Sequence, residues 1–232
     1  EDNFGGTDNE SALITIGNRA PTVTNINLPS SVNSQTDITA IVTRIDPDGQ
    51  SVALDFEWYK IDDSNGGSVV SIGTNSATLA ASQFDKHDEV FVEVTPTDGT
   101  LSGSPVTSSS VIVVNTVPTT PGVTVSPSTS TTYVGADLTC SVSTPSTDLD
   151  GDTVTYHFEW YNANGVLESD ILTTSTVDEY LGSNVDQAGT WTCMVTSLDD
   201  DAAGNSASDT VSVQGLDSCL DYSNAGLSID GV

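Results

Sequence analysis

Positive charge is what this chain has least of: four Lys and Arg stand against 33 Asp and Glu, a formal net charge of −29. Such a surface repels a phosphate backbone instead of neutralising it, which excludes nucleic-acid binding. It argues equally against docking on an anionic membrane surface. Histidine is nearly as scarce, with only His87 and His157. No G-x-S-x-G, H-E-x-x-H, P-loop or dinucleotide fingerprint appears, so the expectation is a protein that is not an enzyme. No apolar run is long enough to span a bilayer as a helix, so direct membrane insertion is not expected. Helix formers are few; Ser, Thr, Asn and Gly carry most of the polar surface, since charged residues are only 16% of the chain. The chain opens on Glu1, not Met, so a removed leader or a fragment is expected. This texture reads as secreted or cell-surface, in a salty or calcium-containing medium that screens the repulsion.

What the chain has in abundance is alternation, and it has it twice. Asp48-Gly49-Gln50-Ser51-Val52 leading to Phe56-Glu57-Trp58-Tyr59 recurs as Asp150-Gly151-Asp152-Thr153-Val154 leading to Phe158-Glu159-Trp160-Tyr161. The stretch Asp85–Val92 is matched by Asp186–Cys193, and Asp98 after Val94-Thr95 by Asp199 after Val195-Thr196. A period of roughly one hundred residues suits an array of sandwich domains, not a solenoid. Within each copy, short segments alternate with period two, which marks half-buried strands. Leu138, Cys140 and Val142, then Val154, Tyr156, Phe158 and Trp160, then Trp191, Cys193 and Val195 should point inward. Ile38, Ala40 and Val42, then Val52, Leu54, Phe56 and Trp58, then Val90, Val92 and Val94 answer in the first copy. The fold class expected is all-β, two tandem antiparallel β-sandwiches.

The second copy resembles the immunoglobulin fold. Cys140, Trp160 and Cys193 stand in the order in which that fold places its strand B cysteine, strand C tryptophan and strand F cysteine. Asp186-Gln187-Ala188-Gly189-Thr190-Trp191-Thr192-Cys193 looks like its D-x-G-x-Y-x-C corner, with Trp191 where Tyr is usual. The resemblance implies a disulfide between Cys140 and Cys193, and loss of the phenol hydrogen bond of the tyrosine corner. The first copy has Ala40 and Val92 at the cysteine positions, so packing alone should hold it, and it should be the softer domain. Both copies also look like the Ig-like and PKD-like repeats of prokaryotic surface proteins, whose B–C loop reads D-x-D-G-D. Asp46, Asp48 and Gly49, then Asp148, Asp150, Gly151 and Asp152, carry that likeness; Gln50 departs from it.

The implied division is residues 21–115 for the first domain, without a disulfide, and 116–216 for the second. Residues 1–20 read as a G-like strand. Leu13, Ile14 and Ile16 resemble the apolar run Val111–Val114, so they end a preceding repeat, are donated to another subunit by β-addition, or form a plain tail. Residues 217–232 are faintly similar to the opening of fibrinogen-like domains, with Cys219 awaiting a partner, or are a tail. The Thr/Ser/Pro-rich stretch Thr116–Thr132 reads as an extended linker. Asn9-Glu10-Ser11 is the single glycosylation sequon.

The concentrated chemistry is carboxylate. In an Ig sandwich the B–C and F–G loops meet at the pole where strand A begins. That brings Asp148, Asp150 and Asp152 near Asp199, Asp200 and Asp201, and a thinner set, Asp46, Asp48 and Asp98, together in the first domain. Asp46, Asp48, Asp98, Asp148, Asp150, Asp152, Asp199 and Asp201 are therefore candidate Ca²⁺ ligands, because oxygens converging from two loops suit that ion. The alternative is that Asp-Gly pairs simply make turns. An ion there would sit beside the connector and stiffen it. Lys60 and Lys86, the two lysines, are the groups on which an adhesin-type isopeptide bond would depend, and both read as exposed.

The function expected is a non-catalytic extracellular module, a stalk or spacer of a cell-surface protein. Its partners would be other protein subunits or cell-surface and carbohydrate ligands. Two alternatives are a subunit of an extracellular filament or pilus, a homo-polymer built by strand donation, and accessory domains of a secreted hydrolase.

Overall fold

Short strands, many of them alternating, build most of the regular structure of this protein. The computed structural model describes residues 16–128 and 131–216. The main chain divides into two compact units between Val113 and Val114, except that Asn33–Gln35 cluster with the second. The first contains β1 (Thr22–Asn27), β2 (Ser31–Asn33), β3 (Ile38–Thr39), β4 (Ile41–Ile45), β5 (Ala53–Asp62), β6 (Ser68–Ser71), β7 (Thr78–Leu79), β8 (Glu89–Thr97), β9 (Val106–Thr107) and β10 (Val111–Val114). The second contains β11 (Gly122–Ser126), β12 (Thr132–Tyr133), β13 (Leu138–Thr144), β14 (Thr155–Tyr161), β15 (Leu167–Thr173), β16 (Val177–Tyr180), β17 (Gly189–Leu198) and β18 (Ala203–Gln214). Among the described residues no helix is long and apolar enough to cross a membrane.

The second unit is a two-sheet immunoglobulin-like sandwich. One sheet runs β11-β13-β16 and the other β12-β18-β17-β14-β15. β12 lies parallel to β18 while β14, β15, β17 and β18 pair antiparallel. Alternation decides which side chains meet between the sheets: along β17, Trp191, Cys193 and Val195 are fully buried while their neighbours face outward. The disulfide Cys140–Cys193 joins β13 to β17, and so one sheet to the other. Around it Trp160, Tyr180 and Trp191 form a chain of rings with centroids 5.7 and 5.5 Å apart. Both core tryptophans of β14 and β17 find a partner for the indole N–H, as burial demands. Trp160 donates to Asp178 Oδ2 at 2.8 Å, and Trp191 to the Gln187 carbonyl at 2.9 Å. The phenol bond of a tyrosine corner is absent, and the indole reaches the carbonyl four residues upstream in its stead.

The first unit follows the same plan with looser edges. Its larger sheet runs β2-β10-β8-β5-β6, with β9 also on β8; the opposing strands pair as β1-β4 and β3-β7. Ile38, Trp58, Leu79, Val90, Val92, Val94, Val111 and Val113 are fully buried. Trp58 donates to the Ser76 carbonyl at 2.8 Å. Val42, Val52, Leu54 and Phe56, expected to be core, are only half-buried, because β7 is two residues long. Together with Ala40, Ala53, Ala77 and Arg44 they line a groove of ≈ 310 Å³.

The stretch read as a linker contains a strand of the sandwich. Within Thr116–Thr132, β11 pairs along its length with β13, and Val125 N–H donates to Asp209 Oδ2 at 2.8 Å. Hydroxyl-rich residues disguise the strand, since only Val125 of β11 is fully buried. Leu13, Ile14, Asn9 and Cys219 lie outside the described residues; Ile16 is exposed and outside any strand.

Candidate functional site at the loop pole of each sandwich

Each sandwich fastens the residues that lead into it by the same two contacts. In the first, Asn18 Nδ2 donates to Asp98 Oδ2 at 2.8 Å and the Arg19 amide to Asp48 Oδ2 at 2.7 Å. In the second, Asn115 Nδ2 donates to Asp199 Oδ2 at 2.9 Å and the Thr116 amide to Asp150 Oδ2 at 2.5 Å. Asp98 Oδ1 accepts from the amides of Thr100 and Leu101, and Asp199 Oδ1 from those of Asp201 and Ala202. Asp46 Oδ1 caps its turn through the amides of Asp48 and Gln50, as Asp148 Oδ1 does through Asp150 and Asp152. These aspartates hold Asx-type turns, and Gly49 and Gly151, both at positive φ, let the loop reverse.

The candidates therefore divide by role. Asp98 and Asp199 shape the F–G turns and hold an asparagine. Asp46 and Asp148 shape the B–C turns with one oxygen, leaving Oδ2 of each buried without a hydrogen-bond partner. Asp46 as a whole is only 9% exposed. Asp150 and Asp152 bring a carboxylate oxygen each to within 4.8 Å of Asp148, and Asp152 forms a second such group with Asp200 and Asp201. Asp199, expected beside them, is not in either group; Asp200 is.

The two poles differ in charge. In the first, Arg19 folds its guanidinium onto the B–C loop: Nε and Nη2 donate to Asp48 Oδ1 at 3.0 and 2.8 Å, and Nη2 to the Pro47 carbonyl at 2.6 Å. These bonds hold the Asp48 carboxyl below the usual carboxylate range. The Leu101 amide, with those of its neighbours and the Asn18 side chain, does the same for Asp98. At the second pole Thr116 stands where Arg19 stands in the first. Its Oγ1, the Asn115 Oδ1 and the Asp148 Oδ2 are buried with no hydrogen-bond partner, as is Oγ of Ser146, a residue 8% exposed on the same loop. Sequence reasoning missed Arg19, because residues 1–20 read as belonging to another repeat. The signal was available in the match of Asn18-Arg19-Ala20-Pro21 with Asn115-Thr116-Val117-Pro118.

Lys60 also departs from expectation. Its side chain is 15% exposed, and its ammonium lies 2.9 Å from Asp88, which is 2% exposed. Asp62 and Asp85 stand 3.7 Å away. Asp88 further accepts from the amides of Asp63 and Asp85. Burial disfavours the Lys60 charge, yet the bond to Asp88 and the surrounding carboxylates prevail and raise its pKa. His157, on the outer side of β14, bonds with Asp170.

No protein-family model and no curated protein matches the chain. Solved structures with a similar course of chain include a two-domain fibronectin type III segment of chicken tenascin. It is 13% identical, with a TM-score of 0.45, over 82% of this chain and 98% of that one. The chicken interferon gamma receptor alpha chain matches at 10% identity and a TM-score of 0.44, over 84% of this chain and 99% of that one. Chicken CNTN1 FN1–FN3 matches at 10% identity and 0.34, over 85% and 68%.

Proposed function

We propose that this chain is a non-catalytic structural and adhesion-type module outside the cell, a spacer within a cell-surface or secreted protein. The observation that supports the reading best is the repeated anchoring of each sandwich's leading residues. Asn18 and Asn115 occupy the same place, and each is clamped to its own F–G turn while the next amide is clamped to the B–C turn. A device copied with the domain serves the stringing of domains, since it ties the incoming chain to each unit. The inter-sheet disulfide favours an oxidising compartment. The side chains that a small sandwich could devote to a ligand, Trp58, Trp160 and Trp191, are spent on the cores.

Sedimentation of the full chain beside a chain lacking residues 1–15 tests this reading. A spacer stays monomeric in both forms and melts unchanged. Concentration-dependent polymers of the full chain that vanish on truncation would replace it with the filament subunit.

A further inference from the structure

We infer that the groove of the first sandwich docks one extended segment of a partner polypeptide, added as a strand to the open edge of β4. The segment is apolar at alternate positions and sets a carboxylate on Arg44. This deepens the adhesion-type reading, on which it rests for the partner being another protein.

The duplicated fold shows what belongs at this place. β13 has two strand neighbours, β11 and β16, whereas its counterpart β4 has β1 alone. In the second sandwich β16 pairs with β13 from Leu138 to Ser141, and the Val142 amide then donates to the Thr176 carbonyl. β15 runs beside β14 from Tyr156 to Tyr161. Under this cover Val142, Tyr156 and Phe158 are buried. In the first sandwich both covers stop early. β7 pairs at Ile38 and Thr39, and the Ala40 amide adds one bond to the Ala77 carbonyl. β6 pairs with β5 only from Tyr59 to Asp62. The counterparts Val42, Leu54 and Phe56 therefore stay half-buried along the groove of ≈ 310 Å³. Alternation turns the main chain of Val42 to the same edge as that of Ala40. The ladder of β4 is thus open just where the apolar floor is uncovered. Ladder bonds would attach an added strand, and its alternate side chains would enter the floor.

Arg44 defines the chemistry of the occupant. It lies on the groove row of β4 with Ala40 and Val42, where the second sandwich has Thr144. The chain holds 33 acidic residues, and Arg19 and Lys60 are each bonded to a carboxylate. Among the described residues no carboxylate stands within ion-pair distance of Arg44. Its planar fork suits bidentate pairing with a carboxylate. A segment bearing an acid at that level is favoured, and a basic one is refused. A second copy of this chain would bring a charge of −29 against −29, and that repulsion disfavours it as the occupant.

The test is selection of phage-displayed random peptides on the full chain, each about ten residues, the length of one strand. The enriched peptide, labelled with fluorescein, is then titrated by anisotropy in about 0.15 M NaCl, where distant charges are screened within ~8 Å. Three variants accompany the wild type: Arg44→Glu; Val42→Pro, which removes one edge N–H where an edge strand tolerates proline; and Val69→Thr, at an exposed position on β6, as control. Enriched sequences should alternate apolar residues around an Asp or Glu. R44E and V42P should each bind about tenfold more weakly, the loss of one charge-assisted or ladder contact, and V69T as the wild type. Replacing the peptide's acid by its amide should weaken binding to the wild type but not to R44E. Circular dichroism marks the variants as folded; should V42P not fold, R44E decides. Failure to enrich any sequence, or equal binding by R44E and V69T, overturns the site. Self-association abolished by R44E would give the groove to a second copy instead. Peptide binding seen only after removal of residues 1–15 would give it to the chain's own leading residues. Polymers that persist in R44E would sink the spacer reading alone and leave the peptide result standing.

Discussion

At the scale of single residues, this protein repeatedly satisfies a buried polar group in an unexpected way. Trp191 pins its corner through an indole N–H instead of a phenol. W191F removes that donor and strands the Gln187 carbonyl, so we expect a loss of about 2 kcal/mol or more in urea unfolding of the second sandwich. Lys60 and Asp88 hold the equivalent corner of the first. D88N keeps the shape but removes the charge that the ammonium needs; a loss of about 2 kcal/mol is expected, since the lysine keeps some water. The pH profile separates this from simple packing. A lysine with a raised folded-state pKa stabilises fully below its ordinary value of 10.5 and loses that contribution as pH climbs through the higher folded value. Alkaline destabilisation should thus be steeper in the wild type than in D88N. Asp48 and Asp98, with lowered values, act at the other end: their contribution is present above 3.8 and is lost as pH falls through their folded-state values.

At the scale of elements, alternation told nearly everything about β13, β14 and β17, whose inward positions are the Cys140, Trp160 and Cys193 series. It told little about β11, where Thr and Ser surround Val125, because a strand with one buried side chain carries no period to read. Nor did it show that β7 would be so short that Leu54 and Phe56 remain half-exposed. The carboxylate pole was visible as Asp-Gly loops, but sorting turn-holding aspartates from those that gather needed backbone geometry. Arg19 was passed over for another reason: residues 1–20 read as part of another repeat, although Asn18-Arg19 matches Asn115-Thr116, and its partner Asp48 lies 29 residues away. The disulfide links elements of opposite sheets and closes a separation of 53 residues. Its replacement by C140A with C193A should cost the second sandwich about 4 kcal/mol. Differential scanning calorimetry should show only one of two transitions moving.

At the scale of the whole molecule, two separate cores share a net charge of −29. Self-repulsion of that size opposes compactness and is relieved by salt. Raising NaCl from about 0.05 to about 0.5 M, across which the screening length shrinks severalfold, should raise both melting transitions. A protein whose acids were all individually paired would respond weakly.

The bridge between β13 and β17 also sets how far the chain can be drawn out. Under tension applied at its two ends, the first sandwich can yield the full length of its polypeptide. The second must withhold the stretch between Cys140 and Cys193, whose 53-residue separation amounts to roughly 190 Å at ~3.5 Å per residue. The same duplicated fold thus contains one extensible link and one whose reach is capped, and a reducing agent is what would remove the cap.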